Sequence, residues 1–104
     1  MVNIPNIRPP TTPGEMLREE FLEPMGLTQQ QLANEIGVSY QRVNELINNK
    51  RGITTSTALR LGKYFGTSPD FWLNLQRAND LYAVLKKEQD EIDKIQPLSL
   101  SREK

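Results

Sequence analysis

The sequence of 104 residues contains neither cysteine nor histidine. This excludes disulfide bonds, thiol nucleophiles, histidine bases and most zinc sites, and we expect no metal and no cofactor. The chain also lacks a run of about twenty apolar residues and a basic-then-apolar leader, so we expect no membrane span and a cytoplasmic location. Val, Ile and Thr nowhere alternate for long enough to form a strand. These absences predict an all-α fold that is stabilised by packing or by a partner chain.

Charge is distributed unevenly along a chain whose net charge is zero. Residues 28–66 carry five basic and two acidic side chains, a net charge of +3, whereas the first 27 residues carry −2 and the remainder −1. Such a distribution gives the molecule one region suited to anions. The basic residues of this middle region are Arg42, Lys50, Arg51, Arg60 and Lys63.

Start and stop signals divide the chain into five helices. "TTPGE" and "LTQQQ" each place a threonine cap three residues before Glu15 or Gln31, the spacing of a capping box. Gly37 and Gly66 are expected to end the second and fourth helices, and Gly52 to close the third after a loose "NNKRG" exit. The other predicted caps are Ser39, Thr54 or Thr55, and Ser68. We therefore predict a flexible N-terminal arm over residues 1–11, a helical domain over 12–85, and a charged helix end and tail over 86–104.

The second and third helices are separated only by "GV", a connection typical of a helix-turn-helix motif. Ala33, four residues before Gly37, is small enough for the helices to cross closely. Val43 and Leu46 follow that glycine by six and nine residues, where they would pack the third helix onto the others. The pattern predicts a recognition helix over about residues 39–49, with its outer face directed into a major groove.

The outer face of this helix is rich in amide and basic side chains. Gln41, Arg42 and Asn44 are predicted to contact base edges, because amides pair with adenine and arginine with guanine. Tyr40 would share this role, and the other candidate residues, at the helix starts and on the exit loop, would bind phosphates. A competing interpretation is that the face simply meets water, but the combination with the turn motif favours DNA binding. The candidate DNA-binding residues are Thr28, Gln29, Ser39, Tyr40, Gln41, Arg42, Asn44, Asn48, Lys50 and Arg51.

The chain resembles the Xre/Cro helix-turn-helix family and, more closely, the HigA-type antitoxins of bacterial toxin–antitoxin modules. The matching segments are "TTPGEMLREEFLEPMGLT", "QQLANEIGVSYQRVNELINNKRGIT" and "TALRLGKYFGTSPDFWLNLQ", which together cover roughly residues 9 to 85. The motif itself is shared by many repressors, whereas "PGEML", "ALRL" and "SPDFWLNLQ" are more specific. One departure is Thr12, where a histidine often precedes the "PGE" block. The resemblance implies a five-helix, lambda-repressor-like domain with a long C-terminal helix.

The resemblance also implies partners. Antitoxins of this type form homodimers, bind a palindromic double-stranded DNA operator in their own promoter, and neutralise a small basic HigB-type toxin that resembles a ribosome-dependent RNA-cutting enzyme. A two-fold interface on the fifth helix would place two recognition helices about one DNA turn apart, ~34 Å. The predicted interface residues are Ala78, Leu81, Tyr82 and Leu85.

An acidic face on the first helix, formed by Glu15, Glu19, Glu20 and Glu23, is a candidate surface for a basic toxin. Acidic residues near a helix start are also favoured by the helix dipole alone.

Three other function classes compete with this interpretation. Asp90, Glu91 and Asp93 form an acidic cluster, but neighbouring positions on a solvated helix do not converge on one substrate, so we predict no enzymatic activity. A protein adaptor would not need polar side chains at the groove-facing positions. A free-standing Xre-type transcriptional repressor without a toxin partner remains the alternative, and a toxin-like reading frame beside the gene would distinguish it.

Overall fold

The computed structural model describes residues 9–98, which form five helices and no β-strand. We number them α1 (residues 13–25), α2 (Gln29–Ile36), α3 (Tyr40–Ile47), α4 (Thr55–Phe65) and α5 (Pro69–Asp93). The all-α prediction is confirmed. Residues 1–8 of the predicted arm and residues 99–104 of the predicted tail lie outside the described residues. Over the described range, none of the helices combines the length and apolar character needed to cross a membrane.

Each helix begins at a hydroxyl side chain that accepts a hydrogen bond from the backbone N–H three residues later. Two of these starts are complete capping boxes: Glu15 accepts from the Thr12 N–H at 3.0 Å, and Gln31 accepts from the Thr28 N–H at 2.8 Å. The helix starts are therefore determined by the local sequence, as predicted. The capping residues are Thr12, Thr28, Ser39, Thr54 and Ser68.

The first helix is not regular, because its middle segment, Leu17–Leu22, is π-helical. Pro24 has no N–H, and its ring crowds the carbonyl group four residues earlier. A π-helical turn widens the backbone at that point, and the Glu23 N–H donates to the Arg18 carbonyl, five residues back. Leu17 and Leu22, also five residues apart, are both buried as a result.

The end of α3 differs from the prediction that Gly52 closes this helix. The helix ends at Ile47, and the left-handed residue is Asn49, with φ of 60°. Asn49 donates its N–H to the Leu46 carbonyl at 3.1 Å, and Lys50 donates to the Glu45 carbonyl at 2.8 Å, the two bonds of a Schellman motif. Asparagine tolerates this conformation better than other non-glycine residues, so the chain turns three residues earlier than predicted.

The core lies where α1 to α4 meet the first turns of α5. Trp72 is fully buried and donates from its indole N–H to the Thr67 hydroxyl at 2.8 Å. Phe21 packs against it with ring centroids 5.2 Å apart, and against Phe65 at 4.6 Å, so that aromatic contacts join α1, α4 and α5. The buried apolar residues are Leu17, Leu22, Leu32, Ala33, Ile36, Val43, Leu46, Ile47, Ile53, Ala58, Leu61 and Trp72.

Beyond its first turns, α5 extends out of this core. The helix has 25 residues, of which Trp72 alone is fully buried, and the molecule measures 60 × 26 × 21 Å along its principal axes. Leu81 and Val84 are 54% and 47% exposed, and Ala78 is also exposed. Tyr82 and Leu85 are partly buried. The far half of α5 therefore presents apolar side chains to solvent.

Gly14 lies where the start of α1 crosses the end of α3. A Cβ at this position would collide with the Leu46 carbonyl oxygen and would lie 2.8 Å from both the Ile47 carbonyl oxygen and Asn49 Oδ1. We expect Gly14→Ala to lower the free energy of unfolding by about 1–3 kcal/mol, measured by urea denaturation, because two backbone segments must separate. Helix propensity alone predicts the opposite sign, a gain of about 0.5–1 kcal/mol, so a stabilised variant would contradict the close contact.

Candidate nucleic-acid interface

The buried side of α3 determines which of its side chains face outward. Val43, Leu46 and Ile47 are 2%, 3% and 7% exposed, which places the opposite face of the helix in solvent. The turn before α3 is held by Gly37, whose φ is 74°, and by the guanidinium of Arg60, which donates to the Ile36 carbonyl at 2.7 Å. Arg60, one of the basic residues of the middle region, therefore also stabilises the end of α2.

The first turn of α3 carries four of the predicted DNA-binding residues. Ser39 caps the helix, and its hydroxyl accepts the Arg42 N–H at 3.0 Å. Tyr40 is 47% exposed, Gln41 is exposed, and Arg42 is partly buried. Three side chains able to reach a base edge or a phosphate thus project from one helical turn.

A network of amides connects the start of α2 with the end of α3. Asn44 donates from Nδ2 to Gln29 Oε1 at 3.0 Å, and Asn48 donates to the Asn44 carbonyl and to Asn44 Oδ1 at 2.9 and 3.3 Å. Gln29 and Asn44 are partly buried, whereas Thr28 and Asn48 are exposed. The structure therefore brings the predicted residues of α2 and α3 together, and the network fixes Gln29 relative to α3.

Glu45, one of the two acidic residues of the basic middle region and not among the predicted site residues, forms a second cluster on the same face. Its Oε2 accepts from Gln41 Nε2 at 3.1 Å, its Oε1 accepts from Arg51 Nε at 3.0 Å, and Arg51 Nη2 forms an ion pair with the same oxygen at 2.9 Å. The spacing of four residues between Gln41 and Glu45 on a helix was the available signal. No comparable signal existed for Arg51, since its position depends on the early turn after α3.

The exit loop after α3 is held from behind by the long helix. Gln76 Oε1 accepts the Ile53 N–H at 2.7 Å, whereas the next turn of α5 holds the segment before α1, where Asn79 donates to the Thr11 carbonyl at 2.8 Å. Lys50 and Arg51 are both exposed on this loop. The loop thus presents two basic side chains beside α3, one of them paired with Glu45.

Most of the acidic side chains of α1 have partners within the helix. Arg18 pairs with Glu19 at 3.0 Å and with Glu23 at 3.2 Å, while Glu15 belongs to the capping box. These contacts reduce the negative potential that the predicted acidic face offers to a basic partner. Among residues 9–98, no three acidic side chains converge in a way that could hold a metal ion.

Comparison with known proteins agrees with this geometry. The profile of the helix-turn-helix family matches residues 18–72. Antitoxin HigA-1 of Vibrio cholerae is 43% identical over 97 residues, covering 92% of this chain and 90% of that protein. Virulence-associated protein I of Dichelobacter nodosus is 48% identical over 94 residues, covering 90% and 86%. The structure of Pseudomonas aeruginosa antitoxin HigA with the higBA promoter superimposes with a TM-score of 0.82 at 40% identity, over 86% and 99% of the two chains.

The fold and the exposed third helix therefore define a helix-turn-helix protein of the class that includes transcriptional regulators. Within that class, the chain belongs to the Xre-type family of HigA antitoxins, which confirms the resemblance drawn from the sequence.

The pKa of the Glu45 carboxyl group lies below its usual value of 4.5, chiefly because Arg51 and then Gln41 donate hydrogen bonds to it. We expect Arg51→Ala to raise this pKa toward 4.5, measured by carbon-13 NMR titration of the side-chain carboxyl group. In the wild type, the lowered pKa adds stability that is fully present above pH 4.5 and is lost as the pH falls through the folded-state value. An unchanged pKa in the variant would show that the ion pair does not persist in solution.

Proposed function

We propose that the chain is a sequence-specific DNA-binding antitoxin that represses its own operon as a homodimer and neutralises a small RNA-cutting toxin. Its membership in the HigA-type family supports this proposal, as does the promoter DNA in the related Pseudomonas aeruginosa structure. The proposal of DNA binding rests on one observation about α3: its apolar side is buried, and its outer face carries amide and basic side chains.

We assign Gln41, Arg42 and Asn44 to base edges in the major groove, with Tyr40 able to contact a thymine methyl group or a phosphate. Lys50, Arg51 and the N-terminal turns of α2 and α3 would bind the DNA backbone. Among the proposed base-reading residues, Gln41 is the best to test, because its side chain is exposed and is not part of the hydrophobic core.

A gel shift on the DNA immediately upstream of the gene tests this function. We expect the wild-type chain to form a specific complex whose affinity falls with salt, because phosphate contacts release counterions. Gln41→Ala should weaken that complex by about 5- to 100-fold, the usual effect of losing a bidentate base contact. Gln96→Ala is the matched control, since Gln96 is exposed and lies beyond α5. If Gln41→Ala binds as tightly as this control, Gln41 does not read the operator.

The proposed homodimer uses the far half of α5, where Ala78 and Leu81 are exposed and Tyr82 and Leu85 are partly buried. Residues spaced by three and four positions share one side of a helix, so these four can form one continuous apolar surface. A two-fold axis through this surface would pair it with itself and would present two copies of α3 to the two halves of a palindrome.

Analytical ultracentrifugation of Leu81→Glu and Tyr82→Glu tests the interface. We expect both variants to sediment as monomers, because a carboxylate in an apolar interface loses its hydration. Leu81 is 54% exposed in the monomer, so its replacement leaves the monomer fold intact. Lys87→Glu, which adds a carboxylate to the opposite side of α5, should remain a dimer. Dimers in all three variants would place the interface elsewhere.

Toxin neutralisation separates an antitoxin from a free-standing Xre-type repressor, which is the alternative. The family relationship supports the antitoxin. A reading frame for a small basic protein beside the gene, whose product co-purifies with this chain, would be expected for the antitoxin and not for the free-standing repressor.

A further inference from the structure

Glu45 is the single acidic residue between positions 40 and 52, and it lies in the middle of the face that we assign to the major groove. It accepts hydrogen bonds from Gln41, one turn earlier on α3, and from Arg51 on the exit loop. A carboxylate at a surface that approaches phosphates weakens binding, because like charges repel. Its presence there therefore calls for a compensating role.

We propose that Glu45 is a positioning residue for DNA recognition: it orients the amide of Gln41, so that discrimination between operator and other DNA depends on it, and it holds Arg51 against α3, which limits affinity for DNA of any sequence. The inference rests on the proposed DNA-binding function and adds a determinant of its specificity.

The carboxylate of Glu45 determines the orientation of the Gln41 amide. The side chain of glutamine can present either its carbonyl oxygen or its NH₂ group to a neighbour, but an ionised carboxylate only accepts hydrogen bonds. Glu45 therefore selects the orientation in which Gln41 Nε2 points along the helix, at 3.1 Å from Oε2. The Gln41 carbonyl oxygen and its second N–H remain available, in a fixed arrangement, for a base edge such as that of adenine.

Glu45 also holds the guanidinium of Arg51. Arg51 Nε donates to Glu45 Oε1 at 3.0 Å, and Nη2 of the same guanidinium forms an ion pair with that oxygen at 2.9 Å, while both side chains remain partly exposed. In this arrangement the guanidinium lies along α3 and its charge is partly neutralised. An arginine released from this pair could bind any phosphate within reach, which would add affinity without sequence information.

These two effects act differently on specific and non-specific DNA. Loss of the carboxylate removes repulsion and releases Arg51, so affinity for any DNA should rise. Loss of the amide orientation weakens only the contact that reads sequence. The ratio of operator affinity to non-specific affinity therefore isolates the positioning role, because simple repulsion changes both affinities by the same factor.

The experiment measures binding of the full chain to the upstream promoter duplex and to a scrambled duplex of equal length, at one salt concentration. The variants are Glu45→Ala, Glu45→Gln, Gln41→Ala and the double variant Gln41→Ala/Glu45→Ala. Glu35→Ala is the charge-matched control, since Glu35 is exposed on α2. Circular dichroism verifies that each variant is folded.

We expect Glu45→Ala to bind the scrambled duplex more tightly and to lower the discrimination ratio by about tenfold, within the range of a single base contact. Glu45→Gln, which keeps one acceptor oxygen, should lose less discrimination. The double variant should discriminate no worse than Gln41→Ala, because Glu45 acts through Gln41.

Three results would overturn the inference. If Glu45→Ala raised the affinity for both duplexes by the same factor, Glu45 would only repel DNA. Additive losses in the double variant would mean that Glu45 reads a base by itself, for instance a cytosine amino group. A wild-type chain that does not prefer the promoter duplex would overturn the proposed function, and this inference with it.

Discussion

The packing of Val43, Leu46 and Ile47 against the core is the constraint on which the rest of the interface depends. These three side chains fix the rotation of α3 about its own axis, and the close contact at Gly14 fixes its position along that axis. A helix of eight residues is too short to be stable by itself in water. Its polar face therefore has a defined geometry only because apolar burial on the other side supplies the stability.

Polar contacts then order the exposed face. Half of the ten side chains proposed for DNA binding already form hydrogen bonds in two clusters: Gln29, Asn44 and Asn48 around Asn44, and Gln41 and Arg51 through Glu45. Such pre-ordering lowers the conformational entropy that long side chains lose on binding. It also means that a DNA contact made by one of these five side chains must replace or extend an existing hydrogen bond, so this part of the surface favours partners whose donors and acceptors match it.

The sequence was sufficient for features that depend on neighbouring residues. The caps at Thr12, Thr28 and Ser68, the glycine turn at Gly37 and the apolar side of α3 all follow from spacing within a few positions. The prediction that Gly52 closes α3 was wrong, because Asn49 takes the left-handed conformation that glycine usually provides. The pairing of Arg51 with Glu45 depends on that turn, so the exposed residues were predictable but their mutual contacts were not.

The π-helical turn in α1 has a consequence for comparing this chain with its relatives. Leu17 and Leu22 both face the core although they are five positions apart. In a regular α-helix the corresponding spacing is four positions, so the π-helical turn contains one extra residue. A relative without a proline equivalent to Pro24 can lack one residue between these leucines and still bury both. A one-residue gap in an alignment at this place would therefore mark a change of helix type and would leave the core intact.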